Sequence, residues 1–272
     1  MACKYGLDEV IYRRNSFRYR SIPMTELDDS PTQAMLSSLG SKYSVLIISD
    51  MHYGKSGKSQ HEEALLSWID SLPASKRPSF CINLGDTADH GLEDEFDDYI
   101  DFELRLKSRI PYVYNIVGNH DLYNSGWDEW ESKMYPHTSF YHFATGGLSW
   151  YFLDSGSGTL GTRQVEELAD AMKNDSKPKI VSLHYPVYSD KINMLSCGSL
   201  QDEHEVNTLI TIFKKYNVKM ILDGHTHRYF MNDLSSFTEF NVSTMMDGCS
   251  FGVLSVDETS GSIKGEGQKI ED

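Results

Sequence analysis

Seven side chains of metal-ligating type stand in five short clusters: Asp50 with His52, then Asp86, Asn119, His184, and finally His225 with His227. They supply carboxylate, imidazole and amide donors, with no thiolate among them. A structural zinc takes four ligands and favours cysteine. Seven suit two five- or six-coordinate divalent ions that share a bridging carboxylate and keep positions open for water and substrate. This donor mixture selects manganese, iron or zinc over calcium or magnesium and leaves the choice among those three open. Two such ions about 3.5–4 Å apart form a clamp for phosphoryl displacement, holding phosphate oxygens and making a hydroxide nucleophilic at neutral pH. His120, beside Asn119 and not needed as a ligand, has the chemistry of a general acid for the departing alkoxide. A carboxylate would keep it oriented and charged.

These clusters need a scaffold that gathers groups 36, 33, 65 and 41 residues apart. Each follows a short apolar run rich in β-branched residues, which predicts strands over 44–49, 80–84, 112–117, 179–183 and 218–222. Amphipathic stretches between them predict helices over 61–72, 92–108, 162–173 and 202–216. Strand and helix alternating in this way is the pattern of βαβ units in a largely parallel sheet. Continuous apolar runs imply cover on both faces. The carboxyl ends of such strands face one crevice, and the clusters converge there. Gly85, Gly118 and Gly224 fit tight strand-to-loop turns. Runs at 139–144, 148–153, 228–234, 237–242 and 251–256 read as short strands joined by turns, which adds antiparallel pairing and a second sheet. The expected class is a mixed α/β sandwich.

The chain has 272 residues, 39% hydrophobic and 24% charged, with 8 prolines and 20 glycines, the composition of a globular protein of one large or two small domains. Forty acidic against twenty-five basic residues give a formal charge of −15, which disfavours nucleic-acid and anionic-membrane partners unless locally reversed. The four cysteines form no close pair, so reduced, packed thiols are expected. No signal peptide or spanning segment is visible, and a cytoplasmic location is the expectation.

Residues 1–42 read as an N-terminal extension with an edge hairpin turning at Asn15–Ser16. Its Arg13, Arg14, Arg18 and Arg20 read as solvated charges, the alternative being steering of an anionic substrate. The eight carboxylates from Asp89 to Glu103 read as a solvated helix face. Residues 43–257 form the expected domain, and 258–272 a flexible polar tail. The aromatic series Tyr123, Trp127, Trp130, Tyr135, Phe140, Tyr141, Phe143, Trp150 and Tyr151 fits core packing, with a substrate-stacking loop as the alternative for its first members. Tyr185 and Tyr188, beside His184, have the same two readings.

Asp50-x-His52, Gly85-Asp86-x-x-Asp89, Gly118-Asn119-His120-Asp121, His184 and Gly224-His225-x-His227 resemble, in order and spacing, the five motifs of the calcineurin-like metallophosphoesterases. The resemblance covers residues 44–256. It implies a four-layer αββα sandwich with the metal site at strand C-terminal ends. It assigns Asp50, His52, Asp86 and His227 to one metal and Asp86, Asn119, His184 and His225 to the other, with Asp86 bridging. It further implies His120 as general acid, Asp89 as the carboxylate orienting it, and Asn119 and His120 as substrate contacts. Protein phosphatases of this superfamily follow the second aspartate with a phosphate-binding arginine, where this chain has His90. G-N-H-D also differs from the G-N-R-D of lipid A pathway hydrolases. Similar motifs occur in class III cyclic-nucleotide phosphodiesterases and in nuclease subunits of break-repair complexes. The expectation is a dinuclear phosphoesterase acting on a small monoester or diester, nucleotide-like substrates included, through metal-bound hydroxide. The alternatives are a metal-dependent nuclease, against which the net charge weighs, and a non-catalytic scaffold, against which the full ligand set weighs.

Overall fold

In the computed structural model, which describes Arg20 and residues 23–188 and 198–270, the chain folds into two sheets flanked by helices. The five-stranded sheet runs β12 (Ser262–Ile270), β11 (Cys249–Asp257), β2 (Lys42–Ile48), β3 (Phe80–Asn83), β4 (Val113–Asn115). The seven-stranded sheet runs β1 (Thr25–Glu26), β5 (Tyr141–Ala144), β6 (Ser149–Phe152), β7 (Lys179–Ser182), β8 (Val218–Asp223), β10 (Thr238–Asn241), β9 (Phe230–Asp233). The described α-helices are α1 (Ser30–Ser38), α2 (Glu62–Ser71), α3 (Glu93–Lys107), α4 (Trp127–Lys133), α5 (Gly161–Asn174) and α6 (Glu203–Lys215).

Strand alternation sorts the apolar residues into three cores. Val45 and Ile47 of β2 join Phe80, Ile82, Trp150, Phe152, Ile180 and Phe240 between the two sheets. Leu46 and Ile48 turn the other way, onto Leu65 and Ile69 of α2 and Phe96, Tyr99 and Phe102 of α3. Tyr151, Val181 and Ile221 face Leu168 and Met172 of α5 and Leu209 and Phe213 of α6. Helix, sheet, sheet, helix is the αββα order. At about 25 cal/mol per Å² of buried apolar surface, these cores supply the main folding drive.

Helix ends obey local rules. Asp202 caps α6 by accepting from His204 N and Glu205 N, and Asp29 caps α1 through Thr32 N. α3 opens on Glu93, Asp94 and Glu95 and closes on Arg105 and Lys107, matching the helix dipole at both ends. Three carboxylates of the acidic island are buried and employed instead of solvated. Glu95 accepts from His90 N and Leu92 N, Glu103 from Asn115, and Asp89 lies in the site crevice.

The expected strands and helices are found within a few residues of their sequence bounds, but the five motif-bearing strands are split between sheets. β2, β3 and β4 pair in parallel in one, and β7 and β8 in the other. Continuous burial marks a strand as covered without saying which strand lies beside it, because pairing is a long-range choice. Two terminal expectations are corrected. Within residues 1–42, the described part is an edge strand, β1, paired in parallel with β5, followed by α1, with Leu27 and Met35 in the intersheet core. The hairpin at Asn15–Ser16 and Arg13, Arg14 and Arg18 lie outside the described residues. Arg20 is buried, neither solvated nor steering, and grips Asp154 at 2.7 and 2.9 Å and Ser157 Oγ at 2.8 Å.

The polar tail is the second correction, since residues 262–270 form β12, paired with β11 over nine registered residues. Its Gly265 and Gly267 read as disorder signals yet serve packing. A Cβ on Gly265 would stand 2.6 Å from the Phe240 ring, and one on Gly267 would stand 2.4 Å from Tyr229. Gly265→Val is therefore expected to cost about 1–3 kcal/mol by overpacking, read as a lower urea midpoint. The exposed neighbour change Lys264→Val is expected to stay within about 0.5 kcal/mol. Equal midpoints for the two variants would show that the tail does not pack as described.

Candidate metal centre

The motif residues stand where β2, β3, β4, β7 and β8 end, and the turns that present them are conformationally demanding. Asp50, His52, Asp86, His225 and His227 all adopt φ between 49° and 65°, the left-handed region that branched or bulky side chains avoid. Holding five side chains there costs of order 1–3 kcal/mol each, a strain found where structure serves function. Gly85 and Gly118 face one another across the β3 and β4 ends. A Cβ on Gly118 would stand 2.2 Å from Asp86 N, so close approach of the two loops requires glycine.

Hydrogen bonds then fix each turn. Asp121, wholly buried, accepts from Ala88 N at 2.9 Å and Gly118 N at 2.8 Å, joining the second and third motif loops. Burial and the nearby Asp86 carboxylate raise its pKa to about 7. Asn241 of β10 donates to Asp223 and to Gly224 O, and accepts from Thr226 Oγ1 at 2.6 Å, clamping the turn that carries His225 and His227. Ser155 Oγ accepts from His184 N and Tyr185 N, both at 3.0 Å. Its loop is anchored by the Arg20–Asp154 pair. Apart from Asp121 in the G-N-H-D motif, these supports carry no motif signal in the sequence.

The seven predicted ligands come together as two adjoining groups. In the first, Asp50 Oδ1 is 3.3 Å from His227 Nε2 and 3.9 Å from His52 Nε2, and the two imidazole nitrogens are 3.1 Å apart. In the second, His184 Nε2 is 3.3 Å from Asp86 Oδ2 and 3.1 Å from Asn119 Oδ1, with His225 beside them. Asp86 Oδ2 also lies 3.8 Å from His52 Nε2, so it stands between the groups as a bridge must. Ligand atoms about 2.1 Å from a common ion are spaced about 3.0 Å in an octahedron and about 3.4 Å in a tetrahedron. The spacings of 3.1 and 3.3 Å fall in this range, whereas those from His52 Nε2 to Asp50 Oδ1 and Asp86 Oδ2, 3.9 and 3.8 Å, are wider than either. Asp50 Oδ1 is buried with no well-aligned hydrogen bond, a cost that a cation would remove.

Electrostatics follow from burial. Burial opposes the Asp50 charge, but His227 and His184 hold its pKa down to about 2. Asp86 is likewise held well below the usual carboxylate range, against burial, by His184, His120 and His52. His184 is buried, which disfavours its charge, yet Asp86 and Asp50 raise its pKa to about 9.

Asp89 departs from its expected contact. His120 Nδ1 donates to the Asp89 main-chain carbonyl at 2.7 Å, whereas the carboxylate Oδ1 is 3.6 Å away. That oxygen is drawn to His52 Nδ1 at 3.1 Å and Lys55 Nζ at 3.2 Å. His90, in the position of the phosphatase arginine, is half exposed, with Nδ1 2.8 Å from Glu95 Oε1. Of the aromatic series, Trp127, Trp130, Phe140, Tyr141, Phe143, Trp150 and Tyr151 are buried, and Tyr135 packs against the intersheet core. Tyr123 alone of the series lies at the centre, its ring 4.7 Å from that of His120. Tyr185 is buried against His225 with ring centroids 3.9 Å apart, and Tyr188 is exposed. A cavity of about 550 Å³ between the N-terminal ends of α5 and α6 contains none of these residues. Chemistry, not volume, locates the centre.

A family model described as calcineurin-like phosphoesterase matches residues 43–229. Among solved structures, a dimetal phosphatase from Danio rerio aligns over 84% of this chain and 96% of its own, with TM-score 0.65 and 13% identity. A purple acid phosphatase from yellow lupin aligns over 85% of this chain and 54% of its own, with TM-score 0.59 and 13% identity. GAP50, the anchor in the inner membrane complex of Plasmodium, aligns over 85% of this chain and 90% of its own, with TM-score 0.53 and 12% identity. At such identities the likeness is one of fold. No curated protein matches the sequence. No helix among the described residues is long and apolar enough to cross a membrane.

Because His184 stands at about 9 when folded against about 6.5 for a free imidazole, its pairing with Asp86 stabilises the metal-free protein fully below pH 6.5. That stabilisation is lost as pH rises through about 9. A cation and a proton compete for Nε2, so Mn²⁺ affinity is expected to rise about tenfold per pH unit from pH 7 towards 9. Calorimetry in buffers of differing ionisation enthalpy measures the proton released. Equal heats in all buffers would refute this protonation state.

Proposed function

Because the chain belongs to the calcineurin-like phosphoesterase family, we propose that it is a dinuclear metal-dependent hydrolase of small phosphoesters. The observation that carries this reading is the convergence of Asp50, His52 and His227 with Asp86, Asn119, His184 and His225 around a shared Asp86. Two divalent cations of the manganese, iron or zinc class bound there would acidify a water molecule and offset the charge of a phosphoryl group.

The protein's own groups divide the remaining work. Asp86 joins the two positions and, through Oδ1, accepts from His120 N at 2.8 Å, so the bridge also places the acid's backbone. Asn119 Oδ1 faces His184, and its amide lies at the crevice beside the substrate's expected place. His120 donates Nδ1–H to the Asp89 carbonyl, which fixes the tautomer and leaves Nε2 as the nitrogen that exchanges a proton. In its protonated form His120 gives that proton to the departing alkoxide. The Tyr123 ring stands tilted against that of His120 and limits its rotation. Burial of Asp50, Asp86 and His184 excludes bulk water beneath the reacting centre.

His120→Ala is expected to lower kcat on an alkyl phosphate by about 10²–10⁴ while two metal ions per chain are retained. On p-nitrophenyl phosphate, whose leaving group needs no proton, the loss should be much smaller. Steady-state rates on both esters, with metal content by elemental analysis, make the test. Wild-type turnover of the alkyl ester by the variant would remove the acid assignment. No hydrolysis of any monoester or diester by the metal-loaded wild type would remove the enzymatic reading.

A further inference from the structure

Behind one half of the centre lies a repeated arrangement. The loop after His52 reads Gly54-Lys55-Ser56-Gly57-Lys58 and makes two successive turns, with Gly54 and Gly57 at φ 89° and 71° and Lys58 N donating to Lys55 O. The turns place its two lysines against two aspartates. Lys55 Nζ is 3.2 Å from Asp89 Oδ1, and Lys58 Nζ is hydrogen-bonded to Asp247 Oδ1. Each aspartate then reaches the outer nitrogen of a histidine. Asp89 Oδ1 is 3.1 Å from His52 Nδ1, and Asp247 Oδ2 is 3.6 Å from His227 Nδ1. The inner nitrogens of these histidines, His52 Nε2 and His227 Nε2, meet 3.1 Å apart beside Asp50. Two Lys–Asp–His chains thus start on one loop and end at one metal position.

The other position is backed differently. His184 Nδ1 donates to a neutral acceptor, the main-chain carbonyl of Leu84, at 2.8 Å. A carboxylate behind an imidazole increases its basicity and fixes its ring, and losing such a partner typically costs 10–100-fold in metal affinity. A lysine on that carboxylate opposes the effect and adds positive charge near the cation.

We propose that Asp89 and Asp247 are positioning residues for the metal held by Asp50, His52 and His227, and that Lys55 and Lys58 lower its affinity relative to the Asp86, His184 and His225 position. The loop of residues 54–58 therefore makes one metal exchangeable and leaves its neighbour resident. The proposal rests on the dinuclear reading above but concerns binding alone.

The test is a calorimetric titration of metal-free protein with Mn²⁺, without substrate, at low and high salt. The wild type is expected to bind in two steps. Asp89→Asn and Asp247→Asn should each weaken one step by roughly 10–100-fold and leave the other in place. Lys55→Met and Lys58→Met should tighten that same step, together by roughly tenfold, with the gain shrinking at high salt. Opposite signs from the two ends of one chain are not what loss of packing produces. Both lysines are more than two-fifths exposed, so their variants keep the fold even where Asp89→Asn does not. Unchanged or weaker binding in the lysine variants, or equal effects on both steps, would overturn the proposal. A wild type that binds two ions but hydrolyses no phosphoester leaves it standing against the functional reading, and one that binds no ion removes both.

Discussion

Two carboxylates, Asp50 and Asp86, are wholly buried in one crevice, and the rest of the structure answers that constraint. A buried anion needs an opposite charge or enough donors to replace water. The fold provides both in part: Ser49 Oγ and His225 N donate to Asp50, His120 N donates to Asp86, and four histidines crowd around the pair. His184 responds by holding a proton far above the ordinary imidazole range. The left-handed turns have the same origin. After β2, β3 and β8, which come from both sheets, left-handed residues reverse the chain at once and aim five side chains into this small volume.

Positional accuracy is then a matter of depth. His184 is fixed by the β7 end, by Ser155 at its amide and by the Leu84 carbonyl at its ring. The Ser155 loop is fixed in turn by Arg20, whose pair with Asp154 is shielded beneath the ring of Trp127, 5.9 Å away. Breaking a buried pair of this kind typically costs about 3–5 kcal/mol, because the partner's charge is left uncompensated. A residue far from the crevice in sequence and chemistry therefore belongs to its foundation.

What the sequence made legible was the local part of this design. Apolar runs and the polar clusters that end them located the strands, and donor types located the ligands. Non-local pairing was not legible: β2 and β7 read alike, yet they lie in different sheets. Nor was packing that removes a side chain. Gly265 and Gly267 look like a flexible tail until the rings of Phe240 and Tyr229 occupy the space they leave. The supports escaped for a related reason. Ser155, Asn241 and Asp247 are ordinary polar residues whose roles depend on what the fold sets beside them. Asp89 was visible as a motif residue, but its carboxylate turns to His52 and Lys55 instead of His120, which only geometry reveals.

The charge of −15 can now be placed. Much of it lies on exposed positions of α3, such as Asp94, Asp97, Asp98 and Asp101, where water and salt screen it. In the crevice the balance differs. Asp50 and Asp86 contribute −2, and two divalent cations would contribute +4, so the ligand set alone would be net +2. Asp89 and Asp247 would cancel that surplus if left unpaired. Lys55 and Lys58 neutralise them, one each, and the positive field is kept for an incoming phosphate. The lysines thus act on two quantities at once. With both cations bound, they would weaken the hold on one and preserve the positive charge that faces the phosphate.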